Sequence, residues 1–385
     1  MKGERMKTLA IIGASYLQRP VVEKAKEMEL RTICFAWPQG AVCKDICDTF
    51  YPISITEKEE ILRICQEEHI DGICTAASDV AAPTVAYVAE KMDLPGNSYL
   101  SSLKAHDKHL MREALVAAGV DCPKYVVLNK NRAEGQISYF EKITLLHLQF
   151  PVIVKPTDRS GSLGVQKVKK WAQLTKAVEE AEEFSLAGEA LVEEFIDGQE
   201  ISVEMISCAG THYALQITDK VTTGAPHFVE LAHHQPSSLS PDMQERIFAI
   251  TRRALDALGI QNGASHSEYK ITANHRVVVM EIGGRAGGDF IGSNLVQLST
   301  GYDFLRGVIE VALGEKIQPQ KTLNKHSGVY FLSAQTPEVL PFIEHAAEYP
   351  EIVTAEQTDD ELHPLTCSAD RSGYFIYQAD NKFKI

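Results

Sequence analysis

The chain has 385 residues, 44% hydrophobic and 23% charged, and carries a formal net charge of −14 from 38 basic and 52 acidic side chains. That length exceeds one ordinary domain, so two or three domains sharing a cleft are expected. The acidic balance speaks against a general nucleic-acid binder. It leaves ATP open, because a glycine loop and a few lysines can hold phosphates inside an acidic protein.

The first hundred residues alternate strand and helix. "TLAIIG", "RTICFAW" and "DGICTA" read as strands; "QRPVVEKAKEME", "EKEEILRICQEEH" and "DVAAPTVAYVAEKMD" read as helices. This is the rhythm of a doubly wound parallel sheet. The apolar stretch before Gly13 is only about six residues, short of the ~7–15 of a signal-peptide core, and is expected to be a strand. No apolar run approaches the ~20 residues of a membrane span, so no membrane partner is expected. A dinucleotide fingerprint would need glycines where Ser15 and Gln18 stand. The eight cysteines are scattered, Cys43 and Cys47 lack a second pair at zinc spacing, and reduced thiols in a cytoplasmic protein are expected.

Near residue 105 the pattern changes. A loop leads into the helix "HDKHLMREAL", then a turn and a strand. Strands are expected at 151–155, 164–168, 190–194, 200–206, 212–219, 263–271 and 276–282, with helices at 171–183 and 241–258, an α+β mixture. A composition shift near residue 317 suggests a small C-terminal α/β lobe. The expected domains are 1–105, 106–316 with a central lid lobe at about 124–195, and 317–385.

"FPVIVKPTDRSGSLGVQKV" delivers Lys155 at a strand end, followed by a loop whose glycines and serines let backbone N–H groups turn toward an anion. The alternative is a plain hairpin with a flexible tip. "ALVEEFIDGQEISVEM" joins two strands by a short apolar linker whose backbone suits an adenine edge, with a carboxylate placed for ribose hydroxyls. Ordinary surface acids on a hairpin are the alternative. "ASHSEYKITANHRVVVMEIGG" puts Glu268 and Glu281 on a hairpin turning at Thr272–His275, where residues at matching heights lie ~5 Å apart. Glu281 follows four apolar residues and should be at least half buried. Opposed carboxylates with no lysine between them point to Mg²⁺, which favours oxygen ligands and shares them with phosphates. The alternative pairs these glutamates with Lys270 or Arg276.

Over most of its length the chain resembles an ATP-grasp enzyme. The resemblance is carried in order by the N-terminal α/β domain, the Lys108 helix, the "VIVKP" lysine with its glycine loop, the "VEEFIDGQE" hinge and the "E…EIGGRAGGD" strands. It is most similar to carboxylate–amine ligases that join amino acids. The implied fold class is α/β and α+β: a doubly wound parallel-sheet domain, an ATP-grasp domain and a small C-terminal lobe. The resemblance implies that Lys108, Lys155 and the loop residues Ser160, Gly161 and Ser162 contact ATP. Glu193 and Ile196 would meet adenine, Glu200 the ribose. Glu268 and Glu281 would hold Mg²⁺, with Mn²⁺ as a substitute. Where the family has Asn two residues after the second glutamate, this chain has Gly283, so either water replaces that amide or only one Mg²⁺ is held firmly.

Arg285 would face the acyl phosphate or a substrate carboxylate, where negative charge develops. Gly287 and Gly288 would lend N–H groups to the same anion. In "FVELAHHQPSS", Glu230 and His233 match a Glu-x-x-His substrate pattern, the first for an α-ammonium and the second for orienting a reactant. Alternatives are a loop with a solvated histidine pair, or a zinc site from His227, His233 and His234. The implied reaction is ADP-forming: a carboxylate is phosphorylated by ATP and an amine attacks the acyl phosphate. Small-molecule substrates are the expected partners, and the resemblance allows a homodimer. Bicarbonate activation or a non-catalytic nucleotide-binding module are the other readings.

Overall fold

The computed structural model describes residues 5–129, 148–159, 163–225 and 227–385. Ser160, Gly161 and Ser162 lie outside the described residues. Among those described, no helix is long and apolar enough to cross a membrane.

Among the described residues, three sheets organise the chain. The first contains β1 (Thr8–Ile12), β2 (Arg31–Phe35), β3 (Thr49–Tyr51) and β4 (Gly72–Cys74), all parallel, in the order β3-β2-β1-β4. Helices α1 (Arg19–Glu27), α2 (Lys58–Glu67) and α3 (Ala82–Lys91) cover it. Both faces are buried, as parallel sheets require, so its strands read as unbroken apolar runs.

Two helices follow, α4 (Tyr99–His106) and α5 (Lys108–Ala117). Asp107 separates them and caps α5 by accepting from Leu110 N–H at 2.9 Å. The second sheet is antiparallel in the order β5-β8-β6-β7, from β5 (Tyr125–Asn129), β6 (Val152–Pro156), β7 (Gln166–Val168) and β8 (Glu189–Glu194). Helix α6 (Trp171–Phe184) packs its apolar stripe of Leu174, Ala177, Val178 and Ala181 on it.

The third sheet has eight antiparallel strands. They are β9 (Gln199–Cys208), β10 (Thr211–Thr222), β11 (Glu230–Gln235), β12 (Gly263–Ile271), β13 (Val277–Gly283), β14 (His326–Leu332), β15 (Ile352–Gln357) and β16 (Gly373–Ala379), in the order β13-β12-β9-β10-β11-β14-β16-β15. The strands after residue 317 continue this sheet beside β11. Helix α7 (Pro241–Leu258) begins at the Ser240 cap and ends at Gly259, whose φ of 77° is the left-handed stop that glycine supplies cheaply.

The eight-stranded sheet is two-faced, and this positions the site. Ile201, Val203, Met205, Tyr269, Val277, Val279 and Ile282 turn to one side and form a core with Ile247, Leu255 and Leu258 of α7 and Met111 and Leu115 of α5. The intervening residues, including Glu200, Glu204, His266, Glu268 and Lys270, turn to the other side.

Candidate functional site

The polar face of the third sheet meets the second sheet across a cleft of about 980 Å³, mouth included. Lys108, Lys155, Glu193, Ile196, Glu200, Glu230, Glu268 and Glu281 all line it. His233, Arg285 and Gly288 do not; Arg285 and Gly288 stand against the loop that follows β4, at Asp79 and Ala77.

A buried charge cluster forms the floor. Glu193 accepts from Arg112 Nε at 2.7 Å and from Lys155 Nζ at 2.6 Å, with side-chain exposures of 1%, 0% and 9%. Arg112 also donates to Met280 O at 2.7 Å. Burial would raise the Glu193 carboxyl, but the two cations hold it below its usual range. The Glu193 carboxylate is thus committed to structural partners, which leaves its backbone for any adenine edge. Burial lowers Lys155, and Glu193 opposes that shift. Ile196 is 4% exposed. Glu200 pairs with Lys270 at 2.8 Å.

Two bulges set the registry of the acids. Glu268 lies opposite Glu281, yet Tyr269 lies opposite Val279, so Met280 is an extra residue on β13. That bulge lets Val279 enter the core while Glu281 faces the cleft. Likewise Thr222 pairs with Glu230 and Val221 with Ala232, which makes Leu231 extra on β11. Glu230 and His233 thereby share a face despite their odd spacing.

Lysines do reach these carboxylates, contrary to expectation, but the cations are not Lys270 or Arg276, the pair weighed as the alternative. Lys108 Nζ lies 3.1 Å from Glu281 Oε1 and donates to Arg159 O at 2.6 Å. Lys220 Nζ lies 2.7 Å from Glu268 and 3.2 Å from Glu230. Lys270 is engaged by Glu200, and Arg276 by Asp121 and Glu194. His266 bonds both Glu204 and Glu268. Although burial lowers it, these carboxylates hold His266 up to about 9. Burial opposes ionisation of Glu268, yet Lys220 and His266 keep it well below the usual carboxylate range.

The expected substrate segment is a strand rather than a solvated loop. His233 is 1% exposed and His234 3%. Burial lowers His233 below its usual range; its Nε2 lies 3.5 Å from Asp289, and its Nδ1 has no partner among the described residues. Glu230 is already held by two cations, since Arg371 Nη2 stands 3.4 Å from its carboxylate and donates to its carbonyl at 3.1 Å. Arg371 also pairs with Asp289 at 2.9 Å and lies 3.7 Å over the Phe331 ring. An ammonium at Glu230 would therefore compete with Lys220 and Arg371.

At the glycine-rich turn, Arg285 is gripped by Asp79 through bonds of 2.9 and 2.7 Å. Gly287 N–H is already given to Glu204 at 3.1 Å, so it is not free for a substrate anion as expected. Gly288 packs toward Ala77 of the first domain.

Residues 148–294 match the ATP-grasp domain family. The match covers less than half of the chain, a stretch similar to an ATP-grasp domain. Alanine–anticapsin ligase of Bacillus subtilis is 27% identical over 260 residues, 62% of this chain and 52% of that protein. The matched stretch thus spans about half the length of that curated relative. In fold, the L-amino acid ligase of Bacillus licheniformis superimposes with a TM-score of 0.77 over 98% of this chain and 94% of that one, at 22% identity. The N5-carboxyaminoimidazole synthetase of Staphylococcus aureus, complexed with ADP, gives 0.78 over 97% and 94%, at 16% identity.

The donor set in this cleft suits a hard cation. Among the described residues no three His, Cys, Asp or Glu side chains stand close enough to hold a metal alone, the histidines 227, 233 and 234 included. The register-paired Glu268 and Glu281 offer oxygens only, which fits an ion that takes its remaining ligands from phosphates and water. Reasoning from sequence missed Asp79, Arg112, Lys220, His266 and Arg371. Four of these come from elements distant in sequence from their partners, and no local pattern marks them; His266, two residues before Glu268 on one strand, was legible by period-2 spacing.

Proposed function

We propose that the chain is an ATP-dependent, ADP-forming ligase that joins a carboxylate to an amine, with amino acids as both substrates. The observation that carries this reading is the facing pair Glu268 and Glu281 in one cleft with two buried lysines, Lys108 and Lys155. The sequence relationship to an alanine–anticapsin ligase supports the substrate class.

Lys155 and Lys108 neutralise phosphate oxygens, and the linker at Ile196 receives adenine with Glu200 near the ribose. Ser160, Gly161 and Ser162 are assigned to the phosphates. Glu268 and Glu281 would hold Mg²⁺, which when bound would offset the negative charge of the phosphates. A substrate carboxylate oxygen attacks the γ-phosphorus and ADP leaves. The amine then attacks the acyl carbon, phosphate departs, and the amine loses a proton. Arg285, Glu230 and His233 are assigned to the acyl group and the amine. The central lobe at about 124–195 closes over the nucleotide.

The test is a matrix of amino-acid pairs with ATP and Mg²⁺, reading ADP, phosphate and product mass, with bicarbonate as a separate arm. Oxygen from an ¹⁸O-labelled substrate carboxylate should appear in the phosphate. AMP with pyrophosphate would sink the reading, and ADP release that depends on bicarbonate would replace it with a carboxylase.

A further inference from the structure

The strand order of the first sheet reverses at β1, so the loops after β1 and β4 frame a crevice at a topological switch point. Open α/β sheets bind ligands at such crevices. Here the two loops are fastened together: Gln18 Nε2 donates to Ala76 O at 2.6 Å, and Gln18 Oε1 accepts from Ser15 N–H at 3.1 Å. The β4 loop is then fastened to the glycine-rich turn of the ATP-grasp domain. Ala76 and Ala286 form a parallel bridge, and Ala77 N–H donates to Ala286 O at 3.1 Å.

From this seam Asp79 reaches Arg285 with both carboxylate oxygens, and each side chain is 13% exposed. Such a fork fixes the guanidinium plane as well as its position. Gly283 makes the room. A Cβ built there would lie 2.5 Å from Asp79 Oδ1 and 3.2 Å from Arg285 Cζ. Residue 283 points to the same face of β13 as Glu281, two positions earlier. Asp79 therefore fills, from another domain, the space a side chain at 283 would take beside that glutamate.

We infer that Asp79 is the positioning residue for Arg285, and that Gly283 is the space which admits it. What Arg285 does rests on the ligase reading; the pairing does not. The arginine's place is set by docking of the first sheet rather than by its own turn, so the reacting end of the site is complete only when the two domains are seated together. An Asn at 283 would displace the Asp79 carboxylate instead of adding a metal ligand.

The experiment measures kcat and KM for ATP and for the acid substrate in Asp79→Ala, Asp79→Asn, Arg285→Ala and the Asp79→Ala/Arg285→Ala pair. Asp79→Ala should lower kcat about ten- to a hundredfold, the usual cost of losing a residue that orients a functional group, with KM for ATP nearly unchanged. Asp79→Asn, which keeps the shape, should fall between. The double variant should be no slower than Arg285→Ala alone, since both changes act through one guanidinium. Added formate should restore part of the Asp79→Ala rate and none of the Arg285→Ala rate. Gly283→Ala should lower kcat like Asp79→Ala without tightening the Mg²⁺ requirement.

Multiplicative losses in the double variant would overturn the inference. So would a shift in Mg²⁺ requirement when Asp79 is removed in the Arg285→Ala background, which would make Asp79 a metal ligand. If the wild type releases no ADP with any pair, the ligase reading fails, and the pairing is read from denaturation midpoints of the same four proteins. Coupled shifts then support the pair, and additive shifts overturn it.

Discussion

Replacing Glu193 by Gln tests the floor of the cleft. The carboxylate takes one bond from Arg112 at 2.7 Å and one from Lys155 at 2.6 Å, and all three groups are almost wholly removed from water. An amide can accept from one of these cations, but its NH₂ then faces the other. One charge-assisted bond is lost, worth ~1.5–3 kcal/mol, and a buried cation loses its counter-charge. Breaking a buried pair in this way costs ~3–5 kcal/mol in all. Lys155→Met is the control. It leaves Arg112 and Glu193 as a neutral pair and should cost only ~1–2 kcal/mol, while weakening ATP binding strongly. Urea denaturation reads both. Trp171 stacks edge-on against Phe150 at 4.9 Å in the same lobe as Glu193, and the other tryptophan, Trp37, is removed as Trp37→Phe. The reasoning is refuted if Glu193→Gln stays within ~1 kcal/mol of the parent, or if Lys155→Met destabilises more than Glu193→Gln.

Glu281→Gln should leave the fold intact and lower turnover more than ~10²-fold, since even outer partners of metal ligands cost 10–100-fold; near-parental ADP release would remove Glu281 from the ligand set. His234 is buried against the Tyr377 hydroxyl at 3.0 Å, and burial pushes it down to about 3. The unfolded chain takes up that proton near 6.5, so the contribution is present above pH 6.5 and lost as pH falls toward 3, at about 1.4 kcal/mol per unit. Denaturation of His234→Gln between pH 6 and 4 should show a shallower slope than the parent, and equal slopes would refute it. Gly198 lies where a Cβ would come 2.3 Å from Ile271 O, so Gly198→Ala should cost ~1–3 kcal/mol through forced displacement of β12; an unchanged melting temperature would show that the turn yields.

Strand and helix placement was legible wherever the apolar pattern was uninterrupted. The helices at 171–184 and 241–258 and the strands at 263–271 and 277–283 fall within a residue or two of expectation, because each has an apolar period or a cap that needs no distant partner. The strand 230–235 was not legible. "ELAHHQ" is polar for a buried strand, and it becomes one only because Ala232, His233 and His234 are flanked by β10 and β14. The facing of Glu268 and Glu281 could be read from the hairpin, but the bulge at Met280 that sends Val279 inward and Glu281 outward could not.

The sequence by itself determined the kinds of chemistry present: oxygen donors on neighbouring strands, lysines at the cleft, and a flexible turn carrying one arginine. Tertiary structure decided which charges meet. Lys220 is 48 residues from Glu268, Arg371 is 141 from Glu230, and Asp79 is 206 from Arg285. Each ion in a buried site must find a counter-charge to offset its desolvation, and that demand is met by whichever strand or domain lies alongside. Spacing along the chain encodes which face a side chain takes. It does not encode its neighbour across a sheet of crossed order, or the aspartate that another domain brings to an arginine.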